Sequence, residues 1–185
     1  MKPIWLQTIA WLAAVAAALA LAFAAPSETN VMGRLPAMTG TRLDHTTVSL
    51  PDGLPAARTL TLIAFTRTHR GEIDSWIQGL QLHQDTSIAW MRMPVLNDPG
   101  SQRERKATLE RILERHPGEG DRARLMPVFT DRDAFVRTAG LSGIEHAGIL
   151  VIGRNGRVLA RVEGQFDETK AQALRETLLA RNEDN

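Results

Sequence analysis

One stretch of the chain, residues 59–65 (TLTLIAF), limits the possible folds more than any other. Every position in it is apolar or β-branched. Such a strand is typical of a sheet that is covered on both faces, and helices are the usual cover. We therefore expect a layered α/β domain.

Helices and strands alternate after this stretch. Ile73, Trp76, Ile77 and Leu80 are spaced i, i+3, i+4 and i+7, which predicts a helix over about residues 71–83. The remaining patterns predict helices over 101–116, 130–139 and 167–181, and strands over 87–93, 125–129, 148–153 and 157–162. The order is β-α-β-α-β-α-β-β-α, in which parallel crossovers come first and an antiparallel pair comes last.

Short motifs predict where several of these elements begin and end. We expect Pro94 to end the second strand, the Ser101-x-x-Glu104 capping box to begin the second helix, and Thr130 to cap the third helix, which Gly140 ends. The pair Asn155-Gly156 predicts a two-residue hairpin turn of type I′ between the last two strands, with positive φ at both residues.

The chain begins with a strong export signal. Lys2 precedes an unbroken apolar run over residues 9–25, which is shorter than the about 20 residues that a spanning helix needs. Ala22-Phe23-Ala24 resembles a processing site, so a signal peptide cleaved after Ala24 is favoured over an uncleaved anchor. A buried amphipathic helix comes last, because the run has no polar face. Either leading interpretation places the rest of the chain outside the cytoplasm.

These patterns divide the chain into three parts. Residues 1–24 are predicted to be the signal peptide or anchor, 25–57 a linker and N-terminal extension, and 58–182 the folded domain. Within the extension, residues 26–44 form either a linker or a segment lying across the domain, and residues 45–50 have the pattern of a short edge strand.

Charge and cysteine content exclude several functions. The chain has 22 Lys and Arg against 21 Asp and Glu, and without Lys2 the count is 21 against 21. A neutral domain gives no electrostatic reason to bind nucleic acid or anionic lipid. The sequence contains no cysteine, which excludes disulfides, thiolate metal sites and cysteine catalysis.

Two local features resemble proteins of the thioredoxin fold. The strand over residues 148–153, its Asn155-Gly156-Arg157 turn and the following Glu163-Gly164 are similar to the hairpin of peroxiredoxins and membrane-anchored thiol-disulfide oxidoreductases. The strand over residues 61–65, the polar turn after it and a helix containing Ser75-Trp76 also resemble the mitochondrial ATP synthase assembly factor family, a thioredoxin-like group without the redox motif. The resemblance covers residues 59–180 and implies a thioredoxin-like three-layer sandwich with a mixed central sheet and a helix–strand insertion.

The chain departs from its redox-active relatives at two places. Those relatives carry Cys-x-x-Cys where the first strand meets its helix, which is about residues 66–73 here, and neither cysteine is present. They also carry a cis-proline before the hairpin strand, where this chain has Ala147 after His146. A non-proline cis bond costs about 2.5–4 kcal/mol, so we expect a trans peptide there. Thiol–disulfide exchange needs a thiolate, so this domain cannot perform it.

The predicted fold brings two polar turns together at the carboxyl ends of the strands, where open α/β sheets usually bind ligands. The turns carry Arg67, His69, Arg70, Glu72, Glu145 and His146. They could form a binding site, a metal site or a site with a histidine general base. We favour a different interpretation, in which an ancestral active site was lost and ordinary polar surface residues now occupy its position, because His69 and His146 match no ligand-spacing motif. The candidate binding residues are Arg67, His69, Arg70, Glu145 and His146, and no catalytic residue, metal ligand or cofactor is predicted.

Two other features have a structural interpretation that we favour over recognition. Trp76 lies on an apolar helix stripe and Trp90 in strand alternation with Ile88, so both are expected in the core. The strongly charged helix over residues 101–116 is expected to be a solvated helix covering the sheet rather than a partner-binding one.

The function that these observations favour is binding without redox chemistry. We expect an exported domain, periplasmic or secreted or anchored by residues 9–25, that helps a protein of the envelope or membrane to assemble or fold. A client peptide could add to a sheet edge or enter the crevice. The alternatives are a carrier or enzyme using His69 and His146, and a redox enzyme that lost its activity in this copy. We expect no nucleic-acid partner, and membrane contact only through an uncleaved N-terminal segment.

Overall fold

A computed structural model describes residues 32–43 and 46–180. The predicted signal or anchor over residues 9–25, and the cleavage site after Ala24, lie outside the described residues. Within the described ranges, no helix is both long enough and apolar enough to cross a membrane.

The described chain contains seven strands and five α-helices, with a short 3₁₀ helix, Arg67–His69, after the third strand. The strands are β1 (Met38–Thr41), β2 (Thr47–Leu50), β3 (Arg58–Ala64), β4 (Trp90–Asn97), β5 (Val128–Thr130), β6 (Gly148–Gly153) and β7 (Val158–Glu163). The helices are α1 (Arg70–Gly79), α2 (Gln102–Arg115), α3 (Glu119–Ala123), α4 (Arg132–Ala139) and α5 (Glu168–Leu179).

The central sheet has five strands in the order β5-β4-β3-β6-β7. Strands β3, β4 and β5 run parallel, while β6 pairs antiparallel with both β3 and β7. This is the mixed sheet predicted from the sequence. β3 lies in the middle and is buried over Thr59–Ile63, as its uniform apolar and β-branched composition requires.

Two apolar layers cover the sheet. On one face, Leu60 and Leu62 of β3 pack with residues of α1 and α5, including Trp76 and Leu174. On the other face, Ile63 packs with residues of α4 and of the N-terminal extension. The three layers correspond to the thioredoxin-like sandwich expected from the resemblance. Trp76 and Trp90 are both buried in the first layer, in agreement with the predicted core role.

The N-terminal extension lies across the domain in its described part. Leu35, Leu50 and Leu54 are buried in the second apolar layer, so the extension completes the core. Strands β1 and β2 form a separate two-stranded antiparallel sheet. Before them, the chain passes beside β7, where the Val158 N–H donates to the Gly33 carbonyl at 3.0 Å.

Two predicted element ends are wrong by a few residues. β4 continues through Pro94 to Asn97. Pro94 is the last residue paired with β3, and Val95 is the first paired with β5. Because the pairing partner changes at this point, the strand tolerates a residue without an N–H there. The cap of α4 is Asp131 rather than Thr130, which is paired in β5. Ser101 does cap α2, and Gly140 ends α4 with φ of 74°.

The predicted type I′ turn between β6 and β7 is also wrong. Gly156 has φ of 83°, but Asn155 does not have positive φ. The Gly156 N–H donates to the Gly153 carbonyl at 2.8 Å, and the Gly153 N–H donates to the Arg157 carbonyl at 2.9 Å. The connection is therefore a three-residue loop, in which only its last residue needs the left-handed region.

Candidate functional site

The candidate crevice lies at one end of β3, where two segments meet. The 3₁₀ helix and α1 follow β3 directly, and the loop before β6 reaches the same edge because β6 runs antiparallel to β3, with Ile63 opposite Gly148. The two turns that the sequence analysis expected to meet are thus adjacent.

Glu72 joins the two segments. Its carboxylate lies in the first turn of α1, with a side chain only 16% exposed. Oε2 accepts a hydrogen bond from the Ala147 N–H at 2.6 Å, and Oε1 lies 2.9 Å from Nδ1 of His146. Both oxygens of a largely buried carboxylate are therefore satisfied across the crevice, as burial of a charged group requires.

The residues around Glu72 form a hydrogen-bonded frame. The Ser75 hydroxyl donates to the Glu72 carbonyl at 2.6 Å and accepts from the Phe166 N–H at 3.0 Å. Trp76 Nε1 donates to the Gly164 carbonyl at 2.8 Å, and the Gly164 N–H donates to the Ala147 carbonyl at 3.0 Å. The first turns of α1, the start of β6 and the end of β7 are thereby held together around one carboxylate.

The contact shifts both pKa values in the direction that favours a charged pair. Burial by itself raises the pKa of Glu72, but the hydrogen bonds from Ala147 and His146 outweigh it, and the pKa lies below its usual value. The hydrogen bond to Glu72, and then the attraction of its charge, raise the pKa of His146. His146 is mostly exposed, with 61% of its side chain accessible.

His146 is oriented as well as charged. Because Nδ1–H donates to the Glu72 carboxylate, Nε2 is the nitrogen left to act as an acceptor when the ring is neutral and as a donor when it is protonated. A carboxylate that fixes a histidine tautomer in this way is a common support for histidines that bind ligands or move protons. The arrangement can thus hydrogen-bond a ligand at the crevice mouth.

The other candidate residues do not join this pair. His69 is buried, and its Nδ1 accepts from the Phe65 N–H at 3.3 Å, so it supports the chain turn after β3. Arg67 and Glu145 are exposed. Arg70 lies 3.8 Å from Asp74 on the same helix face. The structure brings together Glu72 and His146 and leaves Arg67 and Glu145 as exposed neighbours in the same turns.

The interpretation of the crevice as a metal site is not supported by a set of ligands among the described residues. Within residues 32–43 and 46–180, no group of three or more His, Cys, Asp or Glu side chains is placed to hold a metal ion. The chain has no cysteine, so the thiolates of a redox crevice are also missing. The His146–Ala147 peptide is trans, the cis bond of the described chain being Leu50–Pro51.

The sequence analysis placed Glu72 and His146 in the crevice, but it left Glu72 out of the candidate binding residues and missed the contact between the two. Glu72 was collected in the crevice, yet nothing in its local sequence shows that its carboxylate turns inward. The Ala147 N–H was missed altogether, since a backbone donor has no sequence signature. An acidic residue in the first turn of a helix that follows a buried strand was the available signal.

Comparisons with known proteins identify the fold. No protein-family profile matches the chain, and no curated protein matches its sequence. Among solved structures, a protein from Aquifex aeolicus VF5 provisionally described as an electron transfer protein is similar with a TM-score of 0.56 and 12% identity, over 83% of this chain and 99% of that one. BsSco, a member of the Sco family of cytochrome c oxidase assembly proteins, is similar with a TM-score of 0.52 and 14% identity, over 80% and 95% of the two chains.

A third similar structure is a provisionally assigned thioredoxin from Neisseria meningitidis, with a TM-score of 0.50 and 18% identity over 82% of this chain and 93% of that one. At such identities the similarity defines the fold alone. The chain is an α/β protein of thioredoxin-like fold with a mixed five-stranded sheet and no cysteine.

Proposed function

We propose that this protein is a redox-inactive thioredoxin-like binding module that is exported from the cytoplasm and assists the assembly or folding of an envelope or membrane protein. The observation that carries the proposal is the crevice itself. It keeps an ordered, partly exposed polar group, His146 held by Glu72, at a position without any thiol. A site of this kind can bind but cannot exchange disulfides.

Two further observations support a binding role. The Glu72–His146 contact links segments 74 residues apart in sequence, so the crevice mouth is preorganised rather than loose. BsSco, which shares the fold, belongs to a family of assembly proteins. Assembly is thus a task for which this fold is used elsewhere, although the low identity transfers no residue role.

Photo-crosslinking in living cells tests the proposal. A photoreactive amino acid is placed at Arg67, which is exposed beside the crevice, and in a matched variant at Gln84, which is exposed in the loop preceding β4 and so at the opposite end of the parallel strands. We expect an envelope or membrane protein to crosslink at position 67 and not at 84. Deleting the chain should lower the amount of that protein in its assembled form.

Two results would contradict this assignment. Identical crosslinked proteins at positions 67 and 84 would mean that the crevice has no selective partner. Crosslinks confined to thiol-disulfide oxidoreductases would favour a redox protein that lost its activity in this copy. Adding Glu72→Ala to the position-67 variant should weaken a crosslink that depends on the ordered crevice.

A histidine-dependent carrier or enzyme is the second candidate, and the orientation of His146 by Glu72 is the observation that favours it. One equivalent of Cu²⁺ or Zn²⁺ is added while the histidine ring resonances are followed by NMR. Shifts or broadening confined to His146 and His69 would support this candidate. Equal changes at the exposed His83 would indicate non-specific binding.

A further inference from the structure

Five arginines lie on the chain segments that meet near the first described residues. We call this surface the arginine face and define it by Arg34, Arg137, Arg154, Arg157 and Arg161. The carbonyl oxygen of Met32, the first described residue, and a guanidinium nitrogen of Arg161 each lie 2.6 Å from the position that a Cβ on Gly140 would occupy. Gly140 ends α4, so the N-terminal segment, the end of α4 and β7 meet here.

Arg34 and Arg157 stand directly opposite each other. They form an isolated antiparallel β-bridge, and both side chains are exposed. Directly opposed residues of an antiparallel pair lie on the same face with Cβ atoms about 4.5–5.5 Å apart, and like charges at such positions are destabilising. The fold thus places two positive charges side by side where a neutral residue would suit its stability better.

The remaining arginines extend this charge. The Arg34 N–H donates to the carbonyl of Thr138, the residue after Arg137, at 2.7 Å. Arg154 begins the three-residue loop that Arg157 follows, and the exposed side chains of Arg137 and Arg154 add to the positive surface.

No carboxylate neutralises these charges within the described ranges. None of the five arginines forms an ion pair there. Of the acidic residues nearby, Glu163 accepts hydrogen bonds from the backbone and hydroxyl of Ser142, at 3.0 Å each. Asp52 follows Pro51, which lies next to Gly156, but it forms no ion pair with the arginines. The chain as a whole has almost balanced charges, with 22 Lys and Arg against 21 Asp and Glu, so its net charge of +1 conceals a local excess.

The position of this face along the chain indicates its partner. The apolar run ends at residue 25, nine residues before Arg34, so the chain between them spans at most about 32 Å even when fully extended. If the run stays in a membrane, the first residue of the arginine face is tethered close to that membrane's surface. Arginine pairs suit phosphate groups, because the guanidinium binds them with two parallel hydrogen bonds.

We propose that the arginine face docks on anionic phospholipid headgroups. This inference rests on the proposed export of the chain and on retention of residues 9–25 as an anchor, which is the alternative to cleavage after Ala24. Five positive charges spread over a helix end, a bridge and a loop suit an extended anionic surface better than a single small anion. Docking would fix the orientation of the domain at the membrane where its client is assembled.

Arginine modification in nanodiscs tests the proposal. The full chain is placed in nanodiscs of phosphatidylcholine alone or with phosphatidylglycerol, treated with a glyoxal reagent and mapped by mass spectrometry. We expect the reagent to modify Arg34 and Arg157 at least about 5-fold more slowly with phosphatidylglycerol at low salt, since each basic residue near such a surface adds about 1 kcal/mol. Protection should vanish at 1 M salt, where the Debye length is about 3 Å. Arg103 and Arg115, exposed on α2, are internal controls and should react equally in both lipids.

Paired variants distinguish docking from general shielding. Arg34→Gln with Arg157→Gln should lower the docking constant by roughly 30-fold, the equivalent of two such residues. This loss is measured as renewed modification of Arg137 and Arg161. Arg103→Gln with Arg115→Gln should leave their protection unchanged.

Several outcomes would overturn the proposal. Equal protection in phosphatidylcholine would show that the lipid charge is irrelevant. Protection by inorganic phosphate or by an oligonucleotide in phosphatidylcholine discs would identify a free-phosphate or polyanion site instead. If the chain leaves the discs, residues 9–25 are not an anchor. Docking of the arginine face is then tested by sedimentation with phosphatidylglycerol vesicles at low salt, and a protein that does not sediment with them would refute it. None of these measurements involves a client, so they can fail independently of the assembly role.

Discussion

The crevice and the arginine face differ in whether their charged side chains have partners within the described structure. In the crevice, both oxygens of Glu72 have donors and the positive partner, His146, is held in place. At the arginine face, Arg34 and Arg157 oppose each other without a carboxylate partner among the described residues. One region completes its interactions inside the molecule, and the other leaves them to be completed from outside.

Burial explains why this difference is tolerated. The side chain of Glu72 is 16% exposed, so leaving its carboxylate without hydrogen-bond partners would cost about 1–3 kcal/mol or more. Exposed charges interact through water, and pairs of them are typically worth only about 0.2–1 kcal/mol. Selection for stability therefore demands a satisfied crevice but permits an unsatisfied surface. Unmatched exposed charges are thus a signal of external partners that is independent of the ordered polar group in the crevice.

The largest effect is expected where the loop supports the arginine face. Gly156→Val forces a β-branched residue to a φ of 83°. A Cβ there would also lie 3.0 Å from Cγ of Pro51 and 3.4 Å from the Leu35 carbonyl oxygen. Backbone strain alone costs about 1–3 kcal/mol, and the crowding adds to it. Thermal melts of the two proteins measure the loss.

Gly156→Asn separates the two causes, because asparagine tolerates the left-handed region while its Cβ meets the same neighbours. An intermediate loss is expected. An unchanged melting midpoint for the valine variant would show that this loop does not hold the geometry described here.

The next largest effect is expected in the crevice. Glu72→Ala removes the acceptor of the Ala147 N–H, a group with no exposure, and should destabilise the domain by about 1–3 kcal/mol. Glu72→Gln keeps an acceptor and should cost less. Urea unfolding measures both. Equal losses for the two variants would mean that the charge, rather than the hydrogen bond to Ala147, carries the contribution.

The pH dependence of stability should also arise in the crevice. The raised pKa of His146 means that its contribution is fully present below the ordinary value of 6.5 and is lost as the pH rises through the raised value. The lowered pKa of Glu72 means that its contribution is present above 4.5 and is lost as the pH falls through the lowered value. The pair is therefore most stabilising between about pH 4.5 and 6.5.

Urea midpoints at pH 5.5 and 8.5 test this dependence. The wild type should lose stability between the two values, and His146→Gln should lose less. An NMR titration should place the His146 pKa above that of the ring in Glu72→Gln. If His146→Gln shows the same pH dependence as wild type, another group is responsible for it.

The comparison also shows what sequence can and cannot predict. The buried strand and the helix stripe with Trp76 predicted the layers and the mixed sheet, because the apolar pattern of a strand or a helix is a local property of the sequence. The opposition of Arg34 and Arg157 was not predictable, since residues 26–44 have no period that would place them beside β7. The prediction of a type I′ turn was wrong because the same Asn-Gly pair also fits a three-residue loop. The register of β6 and β7 decides between the two turns, and it includes an irregularity at Val151 and Ile152.

The smallest expected effect tests the arginine face directly, and its sign is unusual. Most substitutions destabilise, but Arg157→Gln removes one of two directly opposed positive charges and should stabilise the domain by a few tenths of a kcal/mol, up to about 1 kcal/mol. The gain should shrink as salt rises, because these exposed charges are screened. Arg103→Gln, at an exposed arginine of α2, should show no such gain. Urea unfolding at low and high salt measures each difference, and a destabilised Arg157→Gln variant would show that the arginine has a partner in the folded protein and that the face is not poised for an external one.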